Sequence, residues 1–179
     1  WGVYCADDAG FAVFPLIAFH YSSAGIVPYG QIPLFYAIAM GADAVVALLA
    51  GRLNDRYGLI ILGAAPVLSI VIPFFAFATS YSSALLAAIL WGAVMGIQET
   101  ILRAAVADYT AVSKRGRAYG VFNTIYGASW FAGSLFLGWA YELSIPLVIG
   151  FMAVMQCIAL LVFFYARNVM EKGAEIATV

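Results

Sequence analysis

Apolar runs long enough to span a bilayer follow one another through this chain with barely a charge between them, and nothing else in the sequence constrains the fold as tightly. A helix needs about 20 mostly apolar residues to cross a membrane, and a chain in lipid must satisfy its backbone hydrogen bonds internally. By that measure the chain divides into six helical spans, at residues 2–21, 29–53, 58–79, 82–108, 116–141 and 145–166. The stretches between them carry turn chemistry: SSAGIVP, NDRYG, SYSS, TAVSKR and ELSIP. Composition points the same way, since 65% of the residues are hydrophobic and only 9% are charged. A soluble domain carries about a quarter charged residues. Too few charges exist here to clothe a water-facing surface. The expected fold class is all-α, a polytopic membrane protein whose main partner is the lipid bilayer.

The basic residues then give an orientation, because cytoplasmic loops are enriched in Lys and Arg. Arg52 and Arg56 flank the second break, Lys114, Arg115 and Arg117 the fourth, and Arg167 and Lys172 follow the last span. The first, third and fifth breaks carry none; seven of the 8 basic residues thus fall on one side, and the eighth is Arg103, well inside a span. Both chain ends and the even-numbered breaks are therefore expected to face the cytoplasm. Pro28 and Pro146 stand near helix starts, where a missing N–H costs little. Pro15, Pro66 and Pro73 lie inside spans and predict kinks. The chain opens at Trp1 within what already reads as a membrane segment, with no basic leader before it, which suggests part of a longer chain. Cys5 and Cys157 stand far apart in apolar surroundings and read as structural; no metal site and no cofactor is expected.

Two spans end alike. GRLND (Gly51 to Asp55) closes the second and GWAYE (Gly138 to Glu142) closes the fifth, 87 positions apart. Each reads Gly, three residues, then an acid, and the two copies end on opposite sides of the expected bundle. Such a pattern predicts a three-plus-three inverted repeat. The division is residues 1–81 for the first three-helix repeat, 82–170 for the second, and 171–179 for a cytoplasmic tail.

The second break, GRLNDRYG, resembles the signature loop of the major facilitator superfamily: Gly, three residues, Asp-Arg, one residue, Gly. The likeness falls on Gly51, Asp55, Arg56 and Gly58, between the second and third spans, where that family carries it. Leu59, Ile60 and Ile61 stand in place of the basic stretch that continues the longer family pattern. The carboxy-terminal half of these transporters often holds such a degenerate copy, so the chain resembles that six-helix half along essentially its whole length. RGRAYGVFNTIYGASWFAG is also similar to the eleventh-helix region of bacterial and archaeal members, which implies a prokaryotic plasma membrane. The resemblance further implies a secondary transporter, symporter or antiporter, that moves a small-molecule substrate by alternating access.

The residues of the motif have a physical reading of their own. Gly51 and Gly58 permit close helix approach and a tight turn. Asp55 can accept hydrogen bonds at a neighbouring helix N-terminus, where the dipole favours an anion, and the helix beginning near Ser113 to Gly116 is the natural candidate. Arg56 can pair with Asp108 at the same end of the fourth span. The resemblance implies that these contacts form a cytoplasmic gate.

Charges inside the spans are the candidates for function, since each costs roughly 2.5–3.5 kcal/mol at the bilayer centre on insertion scales. Asp43 lies near the middle of the second span with no basic residue within two turns. An unpaired carboxyl there is expected to hold its proton, the property a proton-coupling residue needs; the alternative is a neutral Asp hydrogen-bonded across helices. Glu99 and Arg103 are spaced i, i+4 and share a helix face. Gly92 and Gly96 lie on the same stripe, where a neighbouring helix can come close and the charges then project into the bundle. They read as cavity or coupling residues, or as a structural intramembrane pair. Gln98, beside Glu99, joins the pathway candidates. Asp7 and Asp8 are adjacent and cannot share a face, and Asp8 is the one carried toward the cavity. His20 reads as an interfacial histidine at the non-cytoplasmic end. The aromatic residues read mainly as lipid-facing and interfacial packing, and GRAYG, GASWFAG and SLFLG as small-residue helix contacts.

No HExxH, G-x-S-x-G or phosphate loop is present, so an enzyme is not expected. Net charge is −1, and the charges stand at helix ends or inside spans, so no nucleic-acid partner is expected. Six helices supply one wall of a transport pathway. The function therefore needs a second six-helix half, from missing sequence, a separate chain or a homodimer. A reading of another class is a non-transporting accessory subunit that uses the same fold for assembly.

Overall fold

The computed structural model describes residues 10–11, 14–108 and 110–177. Those residues are helical almost throughout and contain no strand. Helix α1 (Phe14–Ser23) is followed by a turn in which Gly25 takes φ 65°, and Pro28 then opens the short 3-10 turn Tyr29–Gln31. Helix α2 (Ile32–Tyr57) begins with Pro33 in its first turn, where the ring fits without loss of a hydrogen bond. It ends at Gly58, whose φ of 68° and ψ of −159° suit only a residue without a Cβ. That is the physical demand behind the last glycine of GRLNDRYG. A 3-10 segment, Gly58–Gly63, leads into α3 (Ala64–Ala76); α4 covers Tyr81–Asp108, α5 Arg115–Leu143 and α6 Ile145–Ala177. The ends of α1 to α5 fall within a few residues of the breaks read from turn chemistry, whereas α6 continues past the expected end at 166 to Ala177.

Among the described residues, three segments are long and apolar enough to cross a membrane: Tyr29–Ala76, Tyr81–Asp108 and Ile145–Tyr165. The first contains the second and third expected spans, joined by helical turns through Gly58–Gly63. The expected fifth span is a 29-residue helix, but its two arginines and its Asn, Thr and Ser residues dilute the apolar content. Asp7, Asp8 and Cys5 lie outside the described residues.

Helix α4 is the centre of the packing. Ala84, Ala87, Ala88, Trp91 and Val94 are buried along it, mainly against α2 and also against α3. On the far side of α3, a side chain at Gly63 would meet the ring of Phe163 on α6 at 2.9 Å. The contacts of α2 on α4 rise together along both helices: Ala39 meets Gly92, Asp43 meets Gly96, and Gly51 meets Thr100. The two helices therefore run parallel, and the basic breaks that follow them sit at the same end of the bundle. At the other end, His20, Phe77 and Tyr141 bring the finishing turns of α1, α3 and α5 together. Tyr81 donates to Gln31 Oε1 at 3.0 Å there, tying the starts of α2 and α4. Odd and even helices point in opposite directions.

Outward faces are apolar. Leu48 on α2, Phe131 and Leu135 on α5 and Leu161 on α6 are each at least 66% exposed, an arrangement suited to lipid and unsuited to water.

Two expectations about special residues are corrected. Pro66 lies in the first turn of α3 and Pro73 in its interior, while residues 12–13, just before Pro15, lie outside the described residues. The glycines at 116, 120, 127 and 138 on α5 face open space rather than a neighbouring helix. The turns of α5 that do meet the bundle are those of Phe122, Gly133, Leu137 and Ala140.

Candidate functional site

The α2–α4 crossing places the first candidate. Gly92 packs directly on the backbone of Ala39, and any side chain there would strike the Ala39 carbonyl. One turn later a Cβ at Gly96 would stand 2.6 Å from the Asp43 carbonyl oxygen and 3.0 Å from Asp43 Oδ1. The carboxyl of Asp43 thus lies along the surface of α4 at the level of Gly96, one turn before Glu99. Small residues on one helix deliver a charge on the other to the inside of the bundle.

Asp43 and Glu99 line one cavity of about 460 Å³. Helix α1 contributes Phe14 and Pro15, and α2 contributes Tyr36 and Met40 beside Asp43. Trp91 and Met95 come from α4, and Trp130 from α5. Trp91 is 4% exposed and held in place by stacking on Phe11 at 5.8 Å and by a tilted contact with Phe14 at 5.3 Å. Phe14 in turn meets Tyr36 edge-on at 5.1 Å. These aromatic walls stand beside outward-facing rings such as Phe131 and Trp139. Only the register of separate helices reveals them, because Trp91 and Trp130 carry no sequence mark that separates them from Trp139, which is 56% exposed.

Glu99 accepts from Arg103 Nη2 at 2.8 Å, the expected i, i+4 pair. A smaller void of about 40 Å³ adjoins Glu99 and Arg103 and reaches Asn123 and Tyr126 on α5. Glu99 therefore borders both spaces. Arg103 is within electrostatic reach of Asp43 as well, though Asp43 itself makes no hydrogen bond or ion pair among the described residues. Tyr119 on α5 donates to the Arg103 carbonyl at 2.8 Å, which ties α5 to this level of α4. Gln98 is buried at 1% exposure and is not among the residues that line either space.

The gate residues are not brought together. The Arg56 guanidinium lies over the ring of Tyr57, 5.3 Å from its centroid, and makes no ion pair with Asp108. The register explains it: with Gly51 level with Thr100, Arg56 falls about one turn short of Asp108 along the parallel helices. Asp55 is exposed and accepts no hydrogen bond from the start of α5; Lys114 caps that helix without a side-chain bond, and Arg115 Nε donates to the Thr110 carbonyl instead. His20 lies at the end of the bundle opposite the basic breaks. It is 4% exposed, and its Nδ1 shares a 2.9 Å hydrogen bond with the Tyr141 hydroxyl across α1 and α5. No group of three or more His, Cys, Asp or Glu able to hold a metal occurs among the described residues.

A family profile described as Major Facilitator Superfamily matches residues 2–178. An uncharacterized protein of Mycobacterium bovis is 38% identical over 169 residues, covering 92% of this chain and 41% of the relative. Uncharacterized proteins of two Mycobacterium tuberculosis strains, CDC 1551 and H37Rv, match with the same identity and coverage. The chain spans about two fifths of the length of these curated relatives. No solved structure matches.

Proposed function

Because the chain belongs to the Major Facilitator Superfamily, we propose that it forms one six-helix half of a secondary active transporter, built as a three-plus-three inverted repeat. It moves a small solute by alternating access and couples that movement to protons. The observation that carries this reading is the cavity that Asp43 and Glu99 both line, with Arg103 paired to Glu99. Ionisable groups in a membrane interior are costly and commonly mark substrate or proton pathways. Proton binding at Asp43 removes a charge that would otherwise resist moving between aqueous and closed surroundings. Proton binding at Glu99 releases Arg103 from its pair. Either event changes which state of the bundle is favoured. The parallel course of α2 and α4 supports an orientation with both basic breaks, and both chain ends, at the cytoplasm. More than half of the relatives' length lies outside the match, which leaves room for a second half to close the pathway.

The test is uptake in vesicles containing the full-length protein, driven by an imposed pH gradient. Asp43→Asn and Glu99→Gln are each expected to lower gradient-driven uptake at least tenfold while the protein stays monodisperse. If both variants transport with an unchanged response to pH, the coupling assignment is wrong. Failure to move any solute, together with stable co-purification in a larger complex, would instead favour an accessory subunit.

A further inference from the structure

We infer that the cavity between α1, α2, α4 and α5 is built to take an amphiphilic organic cation, a positively charged head on an aromatic or apolar body. The inference rests on the transporter reading and names its substrate class. Three properties of the lining carry it. Among the described residues, the charged side chains that line the cavity are two carboxylates, and no Lys, Arg or His lines it. One of them, Glu99, is already neutralised by Arg103 at 2.8 Å. Asp43 has no ion pair among the described residues, so it is the carboxylate left to meet a ligand's charge. Around it stand Phe14, Tyr36, Trp91 and Trp130, and indole and phenol faces attract cations through their ring quadrupoles.

The same lining argues against other classes. An anionic solute would meet the unpaired Asp43 carboxylate and no unpaired counter-charge among the described lining residues. A polyhydroxylated solute would need many hydrogen-bonding partners, whereas a few polar groups stand here among rings, Met40 and Met95. Methionine side chains are flexible and polarisable and adapt to ligands of varied outline. The volume, about 460 Å³, falls within the roughly 300–1,000 Å³ common for small-molecule sites.

The experiment is equilibrium binding to the purified full-length protein in detergent, with tetraphenylphosphonium as the probe. Tetraphenylborate, nearly the same shape with the opposite charge, and maltose serve as comparators. The cation is expected to bind at least tenfold more tightly than the borate, and maltose not at all. Asp43→Asn is expected to remove that preference, and Trp130→Ala to weaken cation binding severalfold. Tetraphenylborate binding as well as the cation would overturn the inference on the unaltered protein, without recourse to a variant that fails to fold. So would a monodisperse Asp43→Asn protein that keeps full cation affinity. Vesicle uptake separates this from the transporter reading. A protein that binds the cation but moves nothing upholds the site and sinks transport. One that moves another solute and ignores the cation keeps transport and overturns the substrate class.

Discussion

Glu99 borders two spaces at once, and its pairing with Arg103 decides how it can act. The Glu99 and Arg103 side chains are 37% and 66% exposed respectively, on one helix face. Pairs of that kind stabilise a helix by about 0.5 kcal/mol or less. Arg103→Met is therefore expected to leave the unfolding temperature nearly unchanged. Its effect should fall on function, because Glu99 then loses its guanidinium partner beside both spaces. Gradient-driven uptake should fall severalfold in the variant. Unaltered uptake with lowered stability would make the pair structural. This pairing was legible in the sequence, since four residues along one helix fix who meets whom. The nearness of Asp43 to Gly96 was not. It depends on a register between helices more than fifty positions apart, which no local spacing encodes. The aromatic walls were missed for the same reason, and the Arg56–Asp108 pair was expected one helical turn from where the register allows it.

At the scale of elements, the α2–α4 crossing is the contact on which the site depends. Gly92 and Gly96 were visible as a stripe of small residues, and the structure gives them a partner in the backbone of Ala39 and Asp43. Gly116, Gly120, Gly127 and Gly138 of α5 looked equally suited to packing, yet they face open space. Glycine spacing alone cannot separate a helix crossing from a smooth outer face; the neighbour decides. Gly92→Ala would drive a methyl group into the Ala39 carbonyl, which cannot move without moving α2. Overpacking of this kind costs about 1–3 kcal/mol. Gly150→Ala on α6, where nothing stands within 4 Å of the added carbon, is the matched control. Titration with sodium dodecyl sulfate, followed by Trp fluorescence, should place the Gly92→Ala transition clearly earlier and leave Gly150→Ala close to the unaltered protein. Equal transitions would mean that α2 and α4 are not in close backbone contact.

Over the whole molecule, charge and topology make one joint prediction. The ends of α1, α3 and α5 gather around His20, Phe77 and Tyr141, where the neighbouring breaks hold no Lys or Arg. The opposite end carries Arg52, Arg56, Lys114, Arg115 and Arg117. Direction along the chain and basic charge alternate together, so one labelling experiment tests both. In a background with Cys5 and Cys157 replaced by Ala, Lys114→Cys should react with a membrane-impermeant maleimide in inside-out vesicles and stay silent in intact cells. Ser80→Cys, next to Tyr81 at the uncharged end, should show the reverse. Labelling of both from the same side would break the alternation of helix directions. Exchange of the two sides would keep the bundle and invert its orientation, which would put the Asp55 and Arg56 loop at the outer face and remove its reading as a cytoplasmic gate. The cavity would survive that inversion, since Asp43 and Glu99 lie between the two ends. The substrate inference therefore does not depend on which end faces the cytoplasm, whereas the role of GRLNDRYG does.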